Sequence, residues 1–218
     1  MRTDKDLKPS PRMERLFKEA AEMFLDQGYE PFSIDSLIEK VGGSKRNVYS
    51  LFRGKEGLFI KVMTDLFREI TAPLGQLEIS ELEPEVALKK FSDEVLRLAL
   101  KPRTLALHRL MIAEAPRFLD LSQAIWKAGH ESACKTLEKW IFDQQKNQKL
   151  SAKRSAEHLS TQFISMLIGY FQLRALLDPS AAKLSKRERE VFIDNTVKSF
   201  LLGNGPECTK SLTGEKGR

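Results

Sequence analysis

The side chains with the clearest chemistry to offer sit together in one short stretch, Ser44-Lys45-Arg46-Asn47-Val48-Tyr49-Ser50. An Arg and an Asn in the first turn of a helix are the residue types that pair with guanine and adenine edges in the major groove of DNA. Lys45 and Ser50 share the same outer face. Ser44, the backbone N–H groups of the helix start behind it, Tyr49 and the nearby Lys55 suit phosphate oxygens. The competing reading is a solvated polar helix face with no partner, since short polar helices are common.

Other reactive side chains form no constellation. There is no phosphate-cradling G-x-x-x-x-G-K-[ST], no G-x-S-x-G and no H-E-x-x-H, so no catalytic residue, cofactor or enzymatic activity is expected. His108, His130 and His158 are not at metal-ligand spacing, and no metal site is expected from them. Cys134 and Cys208 lack a C-x-x-C partner or a flanking base, which makes thiol redox chemistry the weaker reading. Two cysteines, one in a helical stretch and one in a polar tail, and a polar start without an apolar core, MRTDKDLKPSPR, point to the reducing cytoplasm. The apolar run around Met166 to Phe171 is far short of the roughly 20 residues that a membrane span needs.

A formal charge of +6 and a pI near 9.3 are compatible with a polyanionic partner. The charge is not concentrated at the front: Met1 to Lys55 hold 11 Lys+Arg against 9 Asp+Glu. A DNA-binding face must therefore be built by local placement. The 218 residues, 41% of them hydrophobic, are enough chain for a sizeable core.

The elements that must position these residues read as helices throughout, with strand signals almost absent. Leu16, Ala20, Met23 and Phe24 share one face of a helix from about Arg12 to Gly28. Ser33 caps a short second helix bearing Leu37, Ile38 and Val41; Gly42-Gly43 turn the chain, and Ser44 caps a third bearing Val48, Tyr49 and Phe52. Two helices of under ten residues, joined through a glycine turn and braced by a longer one, form the helix-turn-helix pattern. A fourth helix runs from Lys55 to about Gln76, kinked or ended near Pro73. Helices follow at about Pro84–Leu100, Arg103–Ala115, Phe118–Lys146 and Ala152–Leu177. A last one starts at the capping box of Ser185 and Glu188 and ends before Gly203. The expected division is a flexible arm over 1–11, a helix-turn-helix domain over 12–59, a helical body over 60–202 and a disordered tail over 203–218.

The stretch Gly28 to Phe59, GYEPFSIDSLIEKVGGSKRNVYSLFRGKEGLF, resembles the DNA-binding domain of the TetR/AcrR family of transcriptional regulators. The matching features are Gly28-Tyr29, Ser33, the turn Val41-Gly42-Gly43-Ser44, Val48-Tyr49 with Phe52, and Lys55-Glu56 with Leu58-Phe59. The resemblance implies an all-α fold, phosphate contacts at Ser33, Ser44, Tyr49 and Lys55, and groove contacts at Lys45, Arg46 and Asn47. Gly43 departs from the family, which has an apolar Val packing the turn there, so a looser turn is expected. Arg46 stands where a small residue is common, and adds a base or phosphate contact of its own.

The run Leu107 to Ala133 resembles the C-terminal domain of an AefR-like subgroup, whose members are linked to efflux or small-molecule stress genes. That implies a repressor released from a palindromic double-stranded operator by a small hydrophobic effector. A ligand-independent architectural DNA-binding dimer, or a helical scaffold that has lost DNA binding, are the other readings. Candidate cavity residues are Phe59, Met63, Phe67, Phe91, Val95, Trp126, Phe163 and Met166, each equally at home in a core. Arg109 would orient a ligand or pair with Glu114. For a homodimer interface the candidates are Leu159, Phe163, Leu167, Gly169, Tyr170 and Arg174, with Val197, Phe200 and Leu201. Together they are more apolar than one buried stripe needs, and Gly169 permits close helix approach at a cost of ~1 kcal/mol in propensity. Burial within one chain is the competing reading.

Overall fold

A computed structural model describes residues 10–178, 180 and 183–205, with the backbone alone for 128–132. Among these residues there are nine α-helices and no strand. Helix α1 (Pro11–Gln27) starts on Ser10, whose hydroxyl accepts from the Met13 N–H, and ends at Gly28 with φ +86°. Pro11 sits where a missing N–H costs nothing. Ser33 caps α2 (Ile34–Val41) by accepting from the N–H groups of Asp35 and Ser36 at 3.2 and 3.4 Å. Ser44 caps α3 (Lys45–Phe52) by accepting from the Asn47 N–H at 3.3 Å.

Helices of eight residues are marginal alone. Here Leu37 and Val48 sink into a core with Leu16, Ala20 and Phe24 of α1 and Leu58 and Phe59 of α4 (Lys55–Gly75). Phe24 lies flat on Phe32, with ring centroids 3.8 Å apart. Pro73 lies inside α4. It falls in the final turn, and the helix runs two residues further to Gly75.

The body comprises α5 (Pro84–Ala99), α6 (Pro102–Glu114), α7 (Leu119–Lys146), α8 (Ala156–Leu177) and α9 (Lys186–Asn204). Helix α8 begins later than its periodicity suggests because Ser155 caps it, accepting from the His158 N–H. Both halves of the Ser185/Glu188 capping box are formed at α9. That helix runs through Gly203 to Asn204, whose side-chain amide donates to the Phe200 carbonyl and whose own carbonyl accepts from the Ser151 N–H. Residues 203–205 thus close α9 instead of opening a tail, and Ser10 and Pro11 belong to α1. The rest of the expected arm and tail, Cys208 included, lies outside the described residues.

Two apolar clusters hold the molecule together. The first is the head core, which continues into Leu107, Leu110 and Met111 of α6 and Phe118, Leu121 and Ile125 at the start of α7. Residue 59 is inside this cluster and inside α4, so the core runs straight across the expected domain boundary. The second joins α5, α7, α8 and α9 through Leu88, Phe91, Leu137, Leu159, Phe163, Leu167, Val197 and Phe200.

Candidate DNA interface and effector cavity

One face of α3 carries Lys45, Arg46, Asn47, Tyr49 and Ser50 outward while Val48, 1% exposed, anchors the helix from the opposite side. The Lys45 ammonium lies 2.8 Å from the Asp35 carboxylate. That hydrogen bond, reinforced by the charge of Asp35, raises the lysine pKa. Ser50 donates its hydroxyl to the Asn47 carbonyl at 3.1 Å, stiffening the first turn. Among the described residues Arg46 has no hydrogen-bond or ion-pair partner, so its guanidinium is available. Ser33 and Ser44 cap α2 and α3 and are the hydroxyls nearest their free N–H groups.

Lys55 is placed differently from a lysine that simply faces solvent. Its Nζ donates to the Glu30 carbonyl at 2.8 Å and stands 4.5 Å from the centre of the Tyr29 ring. Desolvation lowers its pKa, against the pull of Glu114. The Arg117 guanidinium also lies against that ring, 4.6 Å from its centre, and pairs with the Glu30 carboxylate. Burial raises the Tyr29 pKa, with Arg117 opposing. Lys55 and Arg117 therefore clasp the α1–α2 loop from the start of α4 and from the α6–α7 corner. One ammonium proton of Lys55 is committed, leaving two for other acceptors.

The Gly42-Gly43 turn has both residues at positive φ, +74° and +128°. A Cβ on Gly43 would stand 2.8 Å from Nη2 of Arg12 and 3.6 Å from Cδ1 of Ile38. Arg12 thus fills the place of the expected apolar turn side chain, above a recess of about 210 Å³ bordered by Leu16, Val48 and Phe52. The looser turn expected from Gly43 is partly offset in this way. Arg12 is exposed and, among the described residues, unpartnered, which adds a cation beside the start of α3. Sequence reasoning missed it; the available signal was a basic residue in the first turn of α1 together with a glycine at the packing position.

A second cavity, about 290 Å³, is cut into the body and is partly open to solvent, with the exposed Ile112 and Trp126 among its lining. Its wall is made by Phe67, Ile70, Thr71 and Leu74 of α4, Val95, Leu98 and Ala99 of α5, and Thr104, His108, Met111 and Ile112 of α6. Ala115, Ser122, Ile125, Trp126 and Ala133 close one side, and Ile164, Ile168 and Gln172 of α8 the other. Of the candidates chosen from sequence, Phe67, Val95 and Trp126 line it. Phe59 and Met63 do not, because they point from α4 into the head core. Phe91 and Phe163 are fully buried in the second cluster. Met166 is exposed on the far side of α8. Arg109 neither faces the cavity nor pairs with Glu114. It donates to the carbonyls of Ala175 and Leu176 at 2.5 and 2.8 Å and caps the C-terminal end of α8.

The expected dimer face also needs correction. Leu159, Phe163, Leu167, Val197 and Phe200 are interior residues, with the Phe163 and Phe200 rings edge to face at 4.9 Å. Leu201 is half-buried, packed against the same cluster. Gly169, Tyr170 and Arg174 are exposed, and they lie on a second stripe with Met166, Leu173 and Leu177; Val191 and Leu202 of α9 are exposed as well. Tyr170, Leu173 and Leu177 are 64%, 60% and 80% exposed, so this stripe is uncovered in the single chain.

No described helix is long and apolar enough to cross a membrane, and no described cluster of His, Cys, Asp or Glu is arranged to hold a metal. A helix-turn-helix head on a helical body with a cavity defines a one-chain DNA-binding regulator. Two family profiles match: bacterial regulatory proteins of the tetR family over residues 16–62, and the AefR-like transcriptional repressor C-terminal domain over residues 86–203, more than half of the chain. The chain belongs to the TetR family of transcriptional regulators, with a C-terminal domain of the AefR-like repressor type. Comparison with curated protein sequences gives no match.

Solved structures share the fold. A TetR-family regulator from Mesorhizobium loti MAFF303099 superposes with a TM-score of 0.79 at 22% identity, covering 92% of this chain and all of that one. The flavonoid-responsive regulator FrrA gives 0.76 at 23% identity, covering 91% and 100%. A TetR-family regulator from Pseudomonas syringae pv. tomato DC3000 gives 0.71 at 21% identity, covering 91% and 99%. Regulators of this family bind DNA operators and act as dimers, and they are not enzymes.

Proposed function

We propose that this protein is a cytoplasmic repressor that binds a palindromic operator as a two-fold dimer and leaves it when a small apolar effector fills the body cavity. The observation that carries the reading is the sharing of α4: its first half is head core, and its second half is cavity wall. A ligand that fits the cavity only after the wall shifts must therefore act on the head. FrrA, a flavonoid-responsive regulator of the same architecture, supports response to a small molecule.

In this reading Arg46 and Asn47 meet base edges, with Lys45, Tyr49 and Ser50 beside them. Ser33, Ser44, Lys55 and Arg12 meet phosphates. The dimer forms on the exposed stripe of α8 and α9. The domain roles follow: residues 12–59 bind DNA, and 60–202 hold the effector and the partner subunit. Selection of bound fragments from genomic DNA by the purified protein tests the core of this. Enrichment of a palindrome with half-sites about 34–36 Å apart is expected. No enriched site would sink the operator reading and favour sequence-tolerant, architectural binding.

A further inference from the structure

The polar groups of the body cavity point to the chemical class of its ligand. His108 Nδ1 lies 2.8 Å from the Thr104 carbonyl, which can only accept. In the neutral imidazole this places the proton on Nδ1 and leaves Nε2 as a bare acceptor. No described group bonds to that nitrogen. The Thr71 hydroxyl donates to the Phe67 carbonyl at 3.1 Å, and the Ser122 hydroxyl to the Met111 carbonyl at 3.5 Å. Both therefore offer the cavity lone pairs only. The Thr104 hydroxyl, in a residue 3% exposed, is buried without any partner. Among the described lining side chains, Gln172 brings amide protons and Trp126 an indole N–H.

Two consequences follow. The described part of the wall has no Lys, Arg, Asp or Glu, so with His108 neutral an anion or an ammonium would lose water there without gaining a countercharge. The Nε2 of His108 is an acceptor with no described partner, so a ligand that meets it must supply the proton. Phe67 and Trp126 at the wall suit a flat ring, and about 290 Å³ is at the small end of ligand cavities, enough for one or two rings.

We infer that the cavity takes a neutral aromatic molecule of one or two rings carrying a hydroxyl group, which donates to Nε2 of His108 and accepts from the orphaned hydroxyl of Thr104. The inference rests on the reading of this cavity as the effector site, and it adds the ligand class and the residues that select it.

Three biphenyls of nearly one shape separate the possibilities: 4-phenylphenol, 4-methoxybiphenyl and biphenyl-4-carboxylate. Each is titrated against the purified full-length protein by calorimetry at neutral pH, with operator affinity measured in parallel. The phenol should bind at least about tenfold more tightly than the methyl ether, which keeps the shape and lacks the donor, and more tightly still than the carboxylate. His108→Leu should reduce the phenol to the level of the ether and leave the ether unchanged, with melting curves showing that the variant is folded. Should His108→Leu not fold, His108→Phe removes the same acceptor from a ring of similar size. Thr104→Val should cost the phenol several-fold and the ether less, since the ether oxygen still accepts but has no proton to anchor it on His108. Equal binding of phenol and ether, a preference for the carboxylate, binding by none of the three, or a phenol preference that survives loss of the imidazole would each overturn the inference. Phenol binding with unchanged operator affinity would support the ligand class while sinking the release mechanism, so the two failures are distinguishable.

Discussion

Arg46 and Asn47 stand side by side in the first turn of α3, exposed, with the Ser44 cap and the Asn47–Ser50 bond fixing their backbone. If they read bases, Arg46→Ala or Asn47→Ala should cost roughly 1–3 kcal/mol on the operator and much less on random DNA. Fluorescence anisotropy on both DNAs checks this, and equal losses would reduce the pair to phosphate contacts. Arg12 and Lys55 make a contrasting pair of phosphate candidates. Each, changed to Ala, should weaken all DNA alike and lower the salt slope by about one. Lys55→Ala should also lower Tm more than Arg12→Ala does, because Lys55 ties α4 to the Glu30 carbonyl whereas Arg12 only packs over the Gly43 turn. A Tm loss in Arg12→Ala equal to that in Lys55→Ala would contradict the placement. The α3 face was legible because caps and helical spacing are local. Arg12 was not, since its place depends on a side chain absent at Gly43, 31 positions away in the chain.

Helices and their caps were legible from the same local rules, whereas which stripe of a helix meets which neighbour was not. On α8, Leu159, Phe163 and Leu167 and the set Met166, Tyr170, Leu173 and Leu177 all recur at three- or four-residue spacing. Periodicity alone gives two apolar faces and no order between them; packing against α7 and α9 decides that the first set is inner. Arg109 shows the same limit. Its role lies 67 residues away, on the last carbonyls of α8. Arg109→Ala should therefore destabilise the fold by about 1.5–3 kcal/mol, the range for hydrogen bonds to a charged group, and leave cavity ligand affinity alone. Urea denaturation beside ligand titration measures both, and weakened ligand binding at unchanged stability would return Arg109 to the cavity. At the start of α9, two hydrogen bonds from Ser185 hold the Glu188 carboxylate below its usual range. A depressed carboxylate pKa stabilises the fold fully above the ordinary value near 4.5 and loses that contribution as pH falls through the folded value. Hydrogen exchange at the first turn of α9 should rise over that window beyond its intrinsic pH trend, and Glu188→Gln should remove this extra dependence. An identical pH response in the variant would assign the effect elsewhere.

At the scale of the whole molecule, the question is how a filled cavity reaches two DNA-reading helices. Besides the apolar core that continues into α6 and α7, three links join body to head among the described residues: α4 itself, the clasp of Arg117 and Phe118 on Tyr29, and Arg103 of α6, which pairs with Glu22 of α1 at 3.2 Å and Glu69 of α4 at 3.5 Å. The cavity wall includes α4 from Phe67 to Leu74 and α6 from Thr104 to Ile112, so both ends of this linkage border the cavity. A ligand can lower operator affinity only by binding the DNA-incompetent arrangement better than the competent one. For a dimer the variable at stake is the spacing of the two α3 helices, which must match half-sites one helical turn apart, about 34–36 Å. In the proposed dimer the face that sets this spacing is the exposed stripe of α8, the helix whose last carbonyls Arg109 of α6 caps. Movement of α6 and α4 relative to α8 therefore changes the reach of the heads. Val95 and Ala99 face the cavity from α5, which belongs to none of these three links. Val95→Trp and Ala99→Phe should occupy the cavity, lower operator affinity about tenfold or more, and leave the dimer folded. Overpacking is the competing outcome, costing typically about 1–3 kcal/mol of stability. Melting temperature, sedimentation and operator affinity measured together across the series tell the two apart. If affinity falls only in variants that also lose stability or dissociate, occupancy of the cavity is not what moves the heads.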